Sequence, residues 1–365
     1  MSNQDFENSL DESAEEVASF DEYKRGPGDW IQTTLHQNPS LVPLIVLVVS
    51  IAVFGFNTFG FDIGEKFFRP FSLSLILQQV AIVGIVGAAQ SLVILTAGID
   101  LSVGAIMVLS SVVMGQFTFR YGLPAEISII CGFAVGGLCG LLNGFLVAVV
   151  RLPPFIVTLG TWQIILATNF LYSANETIRS RDISKEAPLL QFFGNKLKYD
   201  GEMFPFLHGA VFTYGVIAMV LLTVFLSYAL NHTAWGRHVY AVGDDIDAAE
   251  LSGVRTKRVL ISVYVVAGLI CALAGWALIG RIGSVSPTAG QFANIESITA
   301  VVIGGISLFG GRGSIVGMLF GALIVGVFTL GLGIIGTNPQ WTYLLIGMLI
   351  ILAVAVDQWI RKVSA

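Results

Sequence analysis

The sequence predicts an all-α integral membrane protein with about ten transmembrane helices. Of its 365 residues, 55% are hydrophobic and only 12% are charged, whereas soluble domains carry about 25% charged residues. The mean hydropathy is +0.81. The 41 glycines are typical of helices that pack closely in lipid. The net charge of −5 says little about ligands, because nine acidic side chains lie in the first thirty residues.

Two domains are predicted from the change in composition near residue 38. Residues 1–38 are polar, acidic and poor in aliphatic side chains, which predicts a disordered cytoplasmic tail. Residues 39–365 are predicted to form a single transmembrane domain. It would contain an external loop at about 175–208 and a cytoplasmic loop at about 231–258.

A span takes about 20 residues at 1.5 Å per residue, and ten apolar runs are long enough to cross a bilayer, some of them only when extended to their polar flanks. They lie near 41–60, 71–95, 101–119, 125–150, 153–174, 209–230, 259–280, 294–309, 314–334 and 340–360. Because ten is an even number, both termini are expected on the same side of the membrane.

The distribution of Lys and Arg predicts that this side is the cytoplasm. With the amino terminus inside, ten of the 19 basic residues are cytoplasmic and nine are external, and five of those nine lie in the loop at 175–208. Setting that long loop aside leaves ten against four, as the positive-inside rule requires. The loop mixes acidic and basic residues and contains Pro188, Gly194 and Gly201, which indicates a folded external cap.

Residues 231–258, the central polar segment, interrupt the apolar sequence past the middle of the chain. Asp247 and Glu250 have the spacing of an N-terminal capping box, and Gly253 is a suitable C-terminal stop, which predicts a short helix between two spans. Four basic residues flank that helix and indicate a cytoplasmic location; they are Arg237, Arg255, Lys257 and Arg258. We interpret this short surface helix as a docking element for another protein.

Glycines at four-residue spacing predict close helix contacts. Gly136, Gly140 and Gly144 lie on one helix, and Gly317 and Gly321 repeat the spacing 181 residues later. Ordinary packing of membrane helices explains this pattern. A transporter built from two weakly related halves explains it equally well.

Polar residues within the apolar runs are candidates for a translocation path. Asp100 could line such a path or simply cap the helix that follows it. The neutral candidates are Gln79 and Gln90 on one helical stripe, Thr158, Trp162 and Asn169 on another, and Asn143 among the glycines. Amides and hydroxyls beside an aromatic face suit a polyhydroxylated neutral ligand. The alternative is that these side chains hold helices together.

Several kinds of site are excluded by spacing. The glycine-rich run at 304–313 has neither the GxxxxGK[ST] pattern of a phosphate loop nor the strand that precedes a dinucleotide fingerprint, so no ATP site is expected in this chain. The three cysteines lie in apolar runs without metal or disulfide spacing. No pairing of nucleophile and base, and no nucleic-acid signature, is found. Function as an enzyme is therefore not expected.

Four ordered motifs resemble the ABC-type monosaccharide permeases, the uptake family for ribose, xylose, arabinose, galactose and fructose. They are VILTAGIDLSVGAI (93–106), LNGFLVAVVRLPPFIVTLGT (142–161), AVGDDIDAAELSGV (241–254) and IGGISLFGGRGSIVGMLFGALIVG (303–326). The likeness covers roughly residues 70–360. Within the family the chain is most similar to the fructose permeases, and ribose, xylose or another pentose or hexose remains an alternative substrate.

The resemblance implies the permease subunit of a bacterial inner-membrane importer that works as a homodimer. An ATPase subunit would hold ATP and Mg²⁺ and dock on the cytoplasmic side, a periplasmic sugar-binding protein would deliver the ligand, and this chain would hold no cofactor. The coupling role would fall on the central polar segment, at Gly243, Asp247, Ala248, Ala249, Glu250, Leu251, Ser252 and Gly253. Asp244 and Asp245 stand where relatives more often show Gly and Asn. An ion-coupled carrier or a facilitative channel is the rival interpretation.

Overall fold

The computed structural model describes residues 40–56, 63–201, 208–338 and 340–364. The tail predicted at 1–38 lies outside these residues. The first half of the described chain contains helices α1 (Leu41–Gly55), α2 (Gly64–Phe67), α3 (Pro70–Leu95), α4 (Val103–Phe119), α5 (Ala125–Ala148) and α6 (Pro154–Ser173). The second half contains α7 (Ser180–Glu186), α8 (Tyr214–His232), α9 (Ala234–Asp244), α10 (Ile246–Leu251), α11 (Thr256–Ile282), α12 (Ala293–Ile303), α13 (Ile315–Ile335) and α14 (Gln340–Ser364).

Apolar helices dominate the described chain, which confirms the all-α membrane class. Six of them, α3, α5, α6, α8, α11 and α13, are long and apolar enough to cross a bilayer. Shorter apolar helices are found at α1, α4 and α12, and in α14 over Gln340–Ala355. Each of the ten overlaps one of the ten predicted runs.

The run at 294–309 was predicted as one span, and this prediction is wrong. Helix α12 has 11 residues and ends at Ile303. At 1.5 Å per residue it extends about 16 Å, roughly half of the 30 Å hydrocarbon core. The chain then continues without helix until α13 begins at Ile315.

A second break separates α3 from α4. The seven residues 96–102 between them are not helical, and Ala97 has φ 59°, an uncommon angle for a residue with a β-carbon. A comparable break, residues 283–292, precedes α12. Thr-Ala-Gly occurs in both, at 96–98 and at 288–290.

The N-terminal turns of α4 and α12 meet. A β-carbon added at Gly104 would lie 3.1 Å from the backbone nitrogen of Asn294. In transporters, interrupted helices with converging ends are where substrate sites are built. The two breaks therefore direct attention to the space beside these turns.

Helix packing is repeated between the two ends of the chain. Helix α3 packs on α13, and in the same way α11 packs on α5. Helix α4 contacts α11, and in the same way α12 contacts α3. This correspondence agrees with two related halves. The glycine repeat itself does not match, because Gly136 and Gly140 meet the backbone of α11 whereas Gly317 and Gly321 meet residues 300–304 in and just after α12.

Within the loop at 175–208, the described residues form short elements. Helix α7 is followed by a 3-10 helix, Pro188–Gly194, and by strand β1, Lys196–Lys198. Strand β1 pairs antiparallel with β2, Val211–Thr213, in the register Leu197↔Phe212. Two contacts join this region to the break at 283–292: the bridge between Ile178 and Val285, and the Gln191 amide, which donates to the Gly283 carbonyl at 2.7 Å. The loop therefore supports one of the two helix breaks.

Candidate functional site

Helix α9 attaches the central polar segment to the helix bundle. Val239 and Val242 are buried, whereas Arg237 and His238 on the opposite face are exposed. The hydroxyl of Thr233 accepts a hydrogen bond from the Gly236 N–H at 3.2 Å and so caps the helix. One face of α9 is thus held by apolar packing while the other remains open to solvent.

The predicted short helix exists as α10, but its cap is not Asp247. Asp245 is the N-cap, and its carboxylate accepts from the backbone N–H groups of Asp247 and Ala248, both at 2.9 Å. The cap is two residues earlier because α9 ends at Asp244 and leaves Asp245 extended, at φ −155° and ψ 112°. Asp247 and Glu250 consequently lie inside the helix rather than forming a capping box.

The predicted C-terminal stop at Gly253 is confirmed. Its φ is +86°, in the left-handed region that favours glycine. The Gly253 N–H donates to the Glu250 carbonyl and the Val254 N–H to the Ala249 carbonyl, both at 3.0 Å. This is the Schellman arrangement, and it fixes both ends of a helix of only six residues.

We expect Asp245→Ala to destabilise α10 locally, by about 1 kcal/mol, since this is the usual effect of losing an N-cap carboxylate. The measurement is amide hydrogen exchange of residues 246–251, which should accelerate about fivefold for that energy. Asp244→Ala is the matched control, because Asp244 is an exposed aspartate one residue before the cap. Equal acceleration in both variants would contradict the assignment of Asp245 as the cap.

The outer face of α10 presents an apolar side chain among acids. Leu251 is 91% exposed and Ile246 is 44% exposed. The other exposed members of the predicted coupling set are Asp247, Ala248, Glu250, Ser252 and Gly253. Only Gly243 and Ala249 of that set are buried. An exposed leucine at the end of a doubly capped helix is suited to insertion into a pocket of another protein.

The inner face of the central polar segment contacts both interrupted regions of the bundle. Gly243 packs directly on the backbone carbonyl of Leu95, the last residue of α3, and beside Gly311 in the stretch after α12. The Leu95 carbonyl also accepts from the Gly311 N–H at 3.0 Å. The Tyr240 hydroxyl donates to the Gly313 carbonyl at 3.0 Å. A displacement of α9 would therefore press on α3 and on the α12–α13 connection together.

Burial raises the pKa of the Tyr240 phenol, because the charged form would lose its hydration. The phenol therefore remains protonated at physiological pH. This keeps the hydrogen that it donates to Gly313.

Asp100 lies in the break between α3 and α4 and is almost fully buried, at 1% exposure. Its carboxylate accepts from the Ser102 N–H at 2.7 Å and from the Ser102 hydroxyl at 2.6 Å. The Asn143 amide donates to the same hydroxyl at 2.8 Å, and the Thr158 hydroxyl donates to the Ile99 carbonyl at 2.9 Å. Three predicted path residues, Asp100, Asn143 and Thr158, are thus brought together, where they fix the conformation of the break.

The predicted glutamine stripe on α3 is separate from this cluster. Gln90 is completely buried, and neither atom of its amide has a hydrogen-bond partner among the described residues. The Gln79 carbonyl oxygen is buried in the same way. Unpaired buried amides are unfavourable, so these positions are candidates for groups that find partners in another conformation.

An inner cavity of about 190 Å³ lies beside the meeting point of α4 and α12. Helix α6 supplies Trp162 and Asn169, and the second break and α12 supply Pro287, Gln291 and Asn294. Most of the remaining wall is apolar.

Asn169 and Asn294 are held by backbone carbonyls of the two breaks. The Asn169 amide nitrogen donates to the Pro287 carbonyl at 2.9 Å, and the Asn294 amide nitrogen donates to the Leu101 carbonyl at 3.3 Å. Their carbonyl oxygens are buried without a hydrogen-bond partner in the described part of the chain. Trp162 and Asn169 were predicted as path residues from the sequence, whereas Asn294 and Gln291 were missed.

Comparison with known proteins gives one family and several relatives. A family model described as branched-chain amino acid transport system / permease component matches residues 72–354. The chain is 69% identical, over 99% of its length and 97% of the relative, to a fructose import permease protein of Rhizobium meliloti. It is 35% identical to a ribose import permease protein of Bacillus subtilis (strain 168), covering 88% of this chain and 92% of that one.

A more distant relative is named for another substrate. A galactose/methyl galactoside import permease protein of Haemophilus influenzae is 32% identical over 80% of this chain and 87% of its own. No solved structure matches the chain.

Proposed function

The chain belongs to this permease family, as an inner-membrane component of a sugar import system of the ABC type, and from this membership we propose that its substrate is a monosaccharide, with fructose favoured. The fructose assignment is supported by the 69% identity to a fructose import permease. Ribose or another monosaccharide is the second candidate, favoured by the ribose import relative. The ion-coupled carrier and channel interpretations are set aside.

The permease acts with an ATPase subunit that docks on α10. The observation that carries this proposal is Leu251, which is 91% exposed at the end of a helix fixed by two caps. ATP and Mg²⁺ are bound by the ATPase, and this chain holds no cofactor. Hydrolysis is therefore the partner's reaction, and the permease performs no chemistry on the sugar.

Docking on α10 is transmitted to the inner cavity through a short series of contacts. Gly243 rests on Leu95, where α3 ends, and the break that follows leads to Leu101. Leu101 accepts from Asn294 in the cavity wall. Motion of the central polar segment against α3 thus changes the relative position of the α4 and α12 N-termini, which supports alternation between outward-open and inward-open states.

Two further partners belong to the proposal. A periplasmic sugar-binding protein delivers the ligand to the outer face, where the loop at 175–208 supports the break at 283–292. A second copy of the permease completes the membrane unit. Both are supported by the family resemblance rather than by a contact within one chain.

The test is uptake of labelled D-fructose into proteoliposomes that contain this chain with a candidate ATPase. Uptake is expected only when ATP is trapped inside and the binding protein is present outside. Unlabelled D-ribose in excess serves as the competing sugar, and a non-hydrolysable ATP analogue serves as the control. Uptake driven by an ion gradient in vesicles without the ATPase would overturn the proposal and restore the carrier interpretation.

A further inference from the structure

The inner cavity is lined by two asparagines whose buried side-chain oxygens have no partner among the described residues, and none of its described lining residues is charged. Resting on the proposed function, we infer that this cavity selects neutral, unphosphorylated sugars, with the side-chain oxygens of Asn169 and Asn294 accepting hydrogen bonds from sugar hydroxyls. The cavity thus distinguishes neutral from phosphorylated sugars within the membrane, independently of any sugar-binding protein.

The orientation of the two amides determines what they offer. Each side-chain nitrogen already donates to a backbone carbonyl, Asn169 to Pro287 and Asn294 to Leu101. A backbone carbonyl can only accept, so it identifies the nitrogen of each amide. The carbonyl oxygen is then the atom left to a ligand, and in both residues it is buried and unpartnered within the described chain. A ligand must supply hydrogen-bond donors to both.

Sugar hydroxyls match this requirement, since each is both a donor and an acceptor. They can donate to the two asparagine oxygens. The apolar indole face of Trp162 on the same cavity is suited to the C–H face of a sugar ring.

A phosphorylated sugar does not match. A phosphate monoester brings a charge of about −1.5 to −2 at neutral pH and has acceptors only. None of the described residues that line the cavity is charged. The α12 N-terminus offers about half a positive charge, which is too little to compensate. The phosphate would also face two acceptor oxygens, and no gain would offset the loss of its hydration.

The test is ligand-observed saturation-transfer NMR on the full chain in lipid nanodiscs, with D-fructose and D-fructose 6-phosphate as probes. We expect saturation transfer to D-fructose and an affinity at least about tenfold lower for the phosphate ester. Asn169→Leu and Asn294→Leu should each weaken D-fructose binding about tenfold, the usual effect of one lost hydrogen bond. Trp162→Leu should also weaken D-fructose binding about tenfold. Because this variant keeps both amide hydrogen bonds, it tests the inference even if the asparagine variants do not fold.

Asn338→Leu is the matched control, since Asn338 is exposed and lies outside the cavity. Equal affinity for the two probes would overturn the inference, as would wild-type affinity in folded Asn169→Leu, Asn294→Leu and Trp162→Leu. Uptake in proteoliposomes separates this outcome from failure of the proposed function. If ATP-driven D-fructose uptake persists while the cavity fails to discriminate, only the inference is wrong. If uptake needs no ATPase, the proposed function is wrong whatever the NMR result.

Discussion

Leu251→Asp is expected to reduce ATP-driven uptake at least about thirtyfold, because losing a hot-spot side chain from an interface costs about 2 kcal/mol or more. The leucine is 91% exposed in the isolated chain, so it contributes little to the fold. An aspartate there would add a fifth exposed acid to a segment that already presents Asp244, Asp245, Asp247 and Glu250. The measurement is initial uptake rate in proteoliposomes with the ATPase and the binding protein.

Leu251→Met is the matched variant, since it keeps an apolar side chain of similar volume at the same position. Its uptake rate should stay within about twofold of the wild type, as volume-conserving apolar exchanges are tolerated. Thermal unfolding in detergent should be the same for all three proteins. Wild-type uptake by Leu251→Asp would show that the ATPase does not dock on α10.

The ten apolar runs were predictable because hydropathy is additive along the chain, and each run overlaps one apolar helix. The break of the run at 294–309 was not predictable in this way. Helix α12 ends at Ile303, yet the next six residues, Gly-Gly-Ile-Ser-Leu-Phe, contain only one polar side chain and read as a continuation of the span. The half-length of α12 depends on its packing against α3 and α13, which a window of sequence does not contain.

The α10 helix was predictable and its cap was not. Asp244, Asp245 and Asp247 are all good N-cap residues, and the choice depends on where the preceding helix stops. That position is set by Gly243, which lies directly on the Leu95 carbonyl, about 150 residues earlier in the chain.

The candidate cavity was half predictable. Trp162 and Asn169 share a stripe of α6, so helical periodicity identified them. Asn294 lies 193 residues from its hydrogen-bond partner Leu101. It was not selected as a path residue, because residues 294–309 were predicted as one uninterrupted span. Thr158 belongs to the same stripe, but its hydroxyl already donates a hydrogen bond to the Ile99 carbonyl. Periodicity finds a face of a helix, whereas only the fold shows which of its groups are free.

Gly140→Val is expected to destabilise the bundle by about 3 kcal/mol, the upper end of the usual effect of overpacking. A β-carbon at Gly140 would overlap the backbone carbonyl of Tyr264, and the neighbouring Gly136 and Gly268 bring α5 and α11 equally close. Backbone cannot rotate away as a side chain can, so the two helices must separate. This would also displace Asn143, one turn along, from Ser102 in the α3–α4 break.

The measurement is the thermal unfolding midpoint of the purified chain in detergent, with Gly160→Val as the matched control. Gly160 lies within helix α6, and no atom lies within 4 Å of a β-carbon added there. Its replacement should change stability by no more than about 0.5 kcal/mol. Equal midpoints for the two variants would show that α5 and α11 can separate without loss, and close glycine packing would then not hold the breaks in register. A large loss confined to Gly140→Val would tie the geometry of the inner cavity to this helix crossing, because the same break carries Leu101, the partner of Asn294.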